Sequence, residues 1–111
     1  MKSEAYRLGG EAAFATLFAQ GRRLTGRHVQ LLAMTAAQDP GRLGFVIGRK
    51  VLARAVDRNH LRRRLREAVR AERPQSTAYD LIFRVRAPIA RDELDVAAEE
   101  GAMLLQRLLT A

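Results

Sequence analysis

A chain of 111 residues with 48% hydrophobic side chains has material for one domain with a core of its own and too little for two. It contains no cysteine, which excludes disulfides and thiolate zinc sites, and no apolar run of the roughly 18 residues that a membrane span needs. Twenty Lys and Arg against twelve Asp and Glu leave a net charge of +8, which points to a polyanionic partner. The opening residues lack the apolar core of a secretory signal, so the expected setting is a reducing compartment.

The charge is concentrated. Between Arg42 and Arg73 there are eleven basic and three acidic residues; the rest of the chain holds nine of each and is neutral. Eighteen of the twenty basic residues are arginine, with only Lys2 and Lys50 as exceptions. Guanidinium groups bind phosphate bidentately and stack on bases, although a GC-rich genome produces the same bias.

In chain order, Glu11 to Gln20 predicts a helix, with Phe14, Leu17 and Phe18 at helical spacing and Gly21 as its stop. A β-type stretch follows from Arg27 to Ala36, where Val29, Leu31 and Ala33 alternate. Gln38-Asp39-Pro40-Gly41 is a turn, and Leu43 to Arg49 is a short apolar run suited to a central strand. Two strands about a four-residue turn predict an antiparallel hairpin. A second helix is expected to start between Ala55 and Arg58 and to run to about Glu72, with Pro74 ending it. Leu61, Leu65, Ala68 and Val69 form its apolar stripe. At 100° per residue, Arg62, Arg66, Asn59, Arg70 and Arg63 fan out on one flank.

Tyr79 to Ala87 reads as a strand with Leu81, Phe83 and Val85 on one face. A last helix from about Asp92 to Leu109 turns Leu94, Ala98, Leu105 and Leu108 inward. The order α-β-β-α-β-α predicts an α+β two-layer sandwich as a single domain over residues 1–111, and its concentrated basic charge suits an RNA-binding domain.

Catalytic patterns are absent. Gly44 and Gly48 flank a strand and are expected to permit close backbone approach rather than to cradle phosphate. Glu99 and Glu100 are expected on a solvated helix face, and His28 as a half-exposed strand residue rather than a general base. His28 and His60 are too far apart for a helical metal pair. His60 sits among arginines, which favours a contact to RNA over proton transfer. On spacing alone, Phe14 and Phe18 are core-packing residues.

The segment Ala55-Val56-Asp57-Arg58-Asn59-His60-Leu61-Arg62-Arg63-Arg64-Leu65-Arg66-Glu67 has a more specific grammar than a basic helix. It resembles the signature of the bacterial ribonuclease P protein component, in which Ala-Val-x-Arg-Asn leads into a basic pair and an Arg-Glu. Arg42-Leu43-Gly44-Phe45-Val46-Ile47-Gly48-Arg49-Lys50-Val51 is similar to that family's glycine-containing strand ending in Ser-Lys-Lys. Phe14-x-x-x-Phe18-x-x-Gly21 is similar to its aromatic helix, and Tyr79-Asp80 opens a matching strand. The resemblance runs from about Arg7 to Leu109. It departs at His60, where a second arginine is usual, at Arg62 and Arg49, where lysine is usual, at Gly48, where serine is usual, and at Leu32, where many members carry an aromatic.

This resemblance implies a fold with a left-handed β-α-β crossover. It also implies a ribonucleoprotein endonuclease that matures tRNA 5′ ends, in which the RNA subunit hydrolyses the phosphodiester with bound Mg²⁺ and the protein assists. Arg54, Arg58, Asn59, His60, Arg62, Arg63 and Arg66 would then face the ribonuclease P RNA. Phe14, Phe18, Leu32, Val46, Gly48, Arg49 and Lys50 would line a cleft for the 5′ leader of precursor tRNA. The expected state is a monomer bound 1:1 to its RNA in the bacterial cytoplasm, with no membrane contact. Three other readings are a ribosomal or general RNA-binding module, a DNA-binding regulator and a protein-based nuclease. The second lacks a helix-turn-helix partner, and the third lacks an acidic metal cluster.

Overall fold

The alternating and helical patterns resolve into three helices and a four-stranded mixed sheet in a computed structural model, which describes residues 11–110 and side-chain surroundings from residue 15 on. The polar lead before Glu11 lies outside the described residues. The elements are α1 (Glu11–Gln20), β1 (Arg22–Thr25), β2 (Val29–Thr35), β3 (Leu43–Val46), α2 (Ala55–Ala71), β4 (Tyr79–Val85) and α3 (Leu94–Thr110). Short 3₁₀ turns at Gln75–Ala78 and Arg91–Glu93 lead into β4 and α3. No helix among the described residues is long and apolar enough to cross a membrane.

The sheet order is β1-β2-β4-β3. β4 is central because its side chains are apolar on both faces. Leu81, Phe83 and Val85 point to one side, Ile82 to the other, and all four are buried. It pairs antiparallel with β2, Leu31 opposite Phe83, and parallel with β3, Phe45 opposite Phe83. Parallel neighbours need a long crossover, and α2 supplies it.

The α+β fold is as predicted, but the expected hairpin is not. β4 lies between β2 and β3. After the Gln38–Gly41 turn, the chain bonds forward to the start of β4: the Gly41 N–H donates to Thr77 O, the Arg42 N–H to the Asp80 carboxylate at 2.8 Å, and the Leu81 N–H to Arg42 O at 2.8 Å. A side chain at Gly41 would collide with the Tyr79 carbonyl. The partner that displaces the hairpin enters nearly forty residues later, beyond the reach of local pattern.

β1 is an added strand. Its four residues, RRLT, bury only Leu24, too short an alternation to read. It forms the actual hairpin with β2, Leu24 opposite Leu31.

One sheet face carries α2 and α3. Leu61, Leu65, Leu104, Leu105 and Leu108 close over Leu31, Leu81 and Phe83, each side chain contributing about 1.5–3 kcal/mol by burial. A side chain at Gly101 would run into Leu65 and press Phe83 at 3.4 Å, so this glycine permits close contact at the centre of the core. The reverse face buries Leu32 and Ile82 against Leu17 of α1, with Phe18, Met34 and Val46 half-buried around them.

Glu100 and His28 depart from their expected placement. Glu100 is not on a solvated face. Its carboxylate accepts three backbone N–H groups of the β1–β2 turn, from Arg27 at 2.6 Å, His28 at 2.9 Å and Val29 at 2.8 Å. A Cβ at Gly26 would collide with that carboxylate, at 2.6 Å from its carbon. His28 is buried rather than half-exposed, because the same turn folds it inward, leaving Nε2 4.0 Å from Glu93.

Replacing Glu100 with Ala leaves these three donors unpaired. The expected cost is about 1–3 kcal/mol, read as a lower urea midpoint at unchanged m.

Candidate nucleic-acid interface

The rotation of α2 follows from its stripe. With Leu61 and Leu65 facing the core, residues 62, 66, 59, 70 and 63 turn outward, and residues 60 and 64 face α3. The outward flank is made of donors. Arg62 Nη1 donates to Asn59 Oδ1 at 2.9 Å, which orients the guanidinium while leaving other N–H groups for a ligand. The Arg66 guanidinium lies over the Phe45 ring at 5.9 Å, and Phe45 stacks on buried Phe83 with ring centres 6.3 Å apart. The core thus fixes the ring that guides Arg66. Arg63 and Arg70 are exposed on the same side.

The α3-facing flank is paired. Asp95 Oδ1 accepts hydrogen bonds from His60 Nε2 at 3.1 Å and from Arg64 Nη1. Arg63 Nη2 reaches His60 Nδ1 at 3.2 Å. The hydrogen bond from His60, aided by the Arg64 charge, holds the Asp95 carboxyl below its ordinary value. At the N-terminus of α2, buried Asp57 pairs with Arg91 at 3.5 Å, and its charge suits the positive end of the helix.

A second surface lies on the reverse sheet face. Phe18 is half-buried, with the Arg84 guanidinium 5.8 Å from its ring centre. Arg23 donates to Phe18 O at 2.7 Å at the C-terminus of α1. Val46 and Met34 complete an apolar floor, and Gly48, Arg49 and Lys50 are exposed in the turn that follows β3. Arg58 fixes that loop, its Nη1 donating to Leu52 O at 2.8 Å and to Ala53 O at 3.0 Å.

A family model described as ribonuclease P matches residues 2–109 of the chain. The chain belongs to the ribonuclease P protein family. The ribonuclease P protein component of Azoarcus sp. is 35% identical over 104 residues, which is 94% of this chain and 87% of that protein. The component of Chloroflexus aggregans is 41% identical over 85 residues, 76% of this chain and 62% of that protein. This chain therefore spans about three-fifths of the length of the Chloroflexus relatives it matches, 62% in each case. Among solved structures, the ribonuclease P protein of Thermotoga maritima superposes with a TM-score of 0.71 at 28% identity, covering 93% of this chain and 94% of that one. The Staphylococcus aureus protein shares the fold, with a TM-score of 0.72 at 24% identity and coverage of 95% and 93%.

Within this member of the ribonuclease P protein family, the motif residues divide by role. Asn59, Arg62, Arg63 and Arg66 share the outward flank of α2. Arg54 is exposed just before the helix. Arg58 is drawn into bracing the loop, and His60 is turned toward α3. Of the residues expected in a cleft, Phe18 and Val46 both pack against the Leu17, Leu32 and Ile82 cluster, and Gly48, Arg49 and Lys50 are exposed in the turn that follows β3. Leu32 is fully buried and supports the floor without offering a surface. The Phe14 side chain lies outside the described residues. Gly48 meets nothing within 4 Å of a built Cβ, so close approach is not the reason for a glycine there.

Sequence reasoning missed Arg84, Arg23 and Asp95. Arg84 was legible as the charged outward position between Phe83 and Val85. Asp95 was not, since it joins α2 only across the helix pair. Its depressed titration preserves the contact above the folded-state pKa and loses it as pH falls through that value. In an acid titration followed by carboxyl chemical shifts, Asp95 is expected to titrate below a free aspartate and to return toward it in His60→Ala.

Proposed function

We propose that this chain is the protein subunit of ribonuclease P, an RNA-based endonuclease that removes 5′ leaders from precursor tRNA. The observation that carries the reading is a pair of separate cationic surfaces on one rigid sheet. The outward flank of α2 presents Arg62, Arg63, Arg66 and Asn59 to structured RNA. The reverse face offers an apolar floor with Arg84 beside Phe18, and Arg49 and Lys50 exposed in the turn that follows β3. An apolar floor with cations near it suits a single strand with little sequence preference. Family membership supports assigning the first surface to the ribonuclease P RNA and the second to the leader.

In this reading the RNA hydrolyses the phosphodiester and carries the Mg²⁺. Guanidinium groups repel a divalent cation and attract the phosphates it neutralises, so the α2 flank fits phosphate and not metal. The protein's part is to hold and align. It acts as a monomer, 1:1 with its RNA, in the bacterial cytoplasm.

Cleavage of a precursor tRNA by the ribonuclease P RNA of a curated relative at limiting Mg²⁺ tests this. Added protein is expected to raise the rate, and an unchanged rate would overturn the reading in favour of a general RNA-binding module. Replacing Arg62 and Arg66 with Ala should weaken binding to that RNA. Each lost phosphate contact lowers the slope of log affinity against log salt by about 0.7–0.9.

The leader surface has its own test. Phe18→Leu keeps an apolar side chain on the floor and removes the stacking face. Base–aromatic stacking is worth roughly 1–3 kcal/mol, and leucine forfeits part of it. The preference for precursor over mature tRNA should fall while affinity for mature tRNA holds; an unchanged ratio would make Phe18 a packing residue only.

A further inference from the structure

The α3-facing side of α2 holds two donors, His60 and Arg64, that neither proposed surface uses. His60 Nε2 and Arg64 Nη1, one helical turn apart, converge on a single oxygen, Asp95 Oδ1. Arg63 Nη2 meets His60 Nδ1 from the other side of the ring at 3.2 Å. An arginine can only donate, so Nδ1 accepts and the ring hydrogen sits on Nε2, directed at the carboxylate. Arg63 therefore orients the imidazole, and His60 and Arg64 together define the seat of one anionic oxygen. That seat is at the surface, with about a third of the His60 and Arg64 side chains and most of the Asp95 side chain open to solvent.

A phosphate oxygen matches the carboxylate oxygen in charge and in acceptor character, and it lies within reach of any RNA docked along α2. We propose that His60 and Arg64 form a phosphate-binding site for RNA that Asp95 of α3 keeps masked, its carboxylate standing where the phosphate would sit. The inference rests on the reading of α2 as the RNA-facing helix.

The mask has a consequence for selectivity. An exposed ion pair of this kind is weak by itself, but the carboxylate also repels an approaching phosphate as a like charge, so the seat stays closed in the parent protein. Discrimination by a built-in repulsive group is a common route to specificity. Asp95 is thus a specificity-determining residue that acts through Arg64 and His60.

The test is a salt titration of binding to a ribonuclease P RNA. Asp95→Asn is expected to tighten binding by roughly two- to five-fold at low salt. It should also steepen the slope of log affinity against log salt by about 0.7–0.9, the signature of one added phosphate contact. Glu99→Gln removes the same charge from an exposed position on α3 and should leave the slope at the parent value. Arg64→Gln in the parent should not change the slope, because the group is masked, whereas added to Asp95→Asn it should cancel the gain. Equal slopes for Asp95→Asn and parent, or a parent slope lowered by Arg64→Gln, would overturn the proposal. If Arg62→Ala also leaves the slope unchanged, the RNA-facing reading of α2 fails with it. If Arg62→Ala lowers the slope while Asp95→Asn does not raise it, only the masked site is lost.

Discussion

Burial of Leu61 and Leu65 against Phe83 and Gly101 sets the rotation of α2 about its axis, and the electrostatics of the chain depend on that rotation. A helix with six arginines along its seventeen residues could present its charges in any direction. Close packing admits one setting, because Leu65 already fills the space that a side chain at Gly101 would need. With that setting fixed, Arg66 falls beside Phe45 of edge strand β3, and His60 and Arg64 fall beside α3.

The same packing separates charges that neutralise each other from charges left for a partner. Acids along the chain are spent on architecture. Asp57 ties Arg91 to the start of α2, Asp80 receives the backbone and side chain of Arg42, and Glu100 collects the β1–β2 turn. Arginines are likewise committed, Arg58 to the loop after β3 and Arg64 to Asp95. The guanidinium groups that remain outward lie on surfaces the core does not need. Net charge is therefore a poor guide to which basic residues stay open to a partner, and the positions of the compensating acids are a better one.

The two sheet faces take on different work for a related reason. The face under α2 and α3 is fully occupied by aliphatic and aromatic packing. The reverse face is only partly covered, since α1 is ten residues long and packs chiefly on β2. Apolar side chains at Phe18, Met34 and Val46 stay half-exposed there, with Arg84 among them. Incomplete cover leaves that face apolar and open to solvent, as the proposed leader site requires.

The sequence by itself determined the elements with long, regular patterns. α1 and α2 begin and end within a residue of their predicted bounds, and the inward positions Leu94, Ala98, Leu105 and Leu108 of α3 are all buried. Local periodicity and stop residues carry that information. The sequence also identified the ribonuclease P protein family through the ordered motif around Arg58 and Asn59. The tertiary structure alone decided strand order, since β4 separates β2 from β3 through contacts made far along the chain. It alone showed that Leu32 lies beneath the cleft floor and that Glu100 is a turn clamp. It alone divided the arginines of α2 between solvent and Asp95. Each of these depends on which residue stands across from another element, and a periodic pattern describes only a residue's own element.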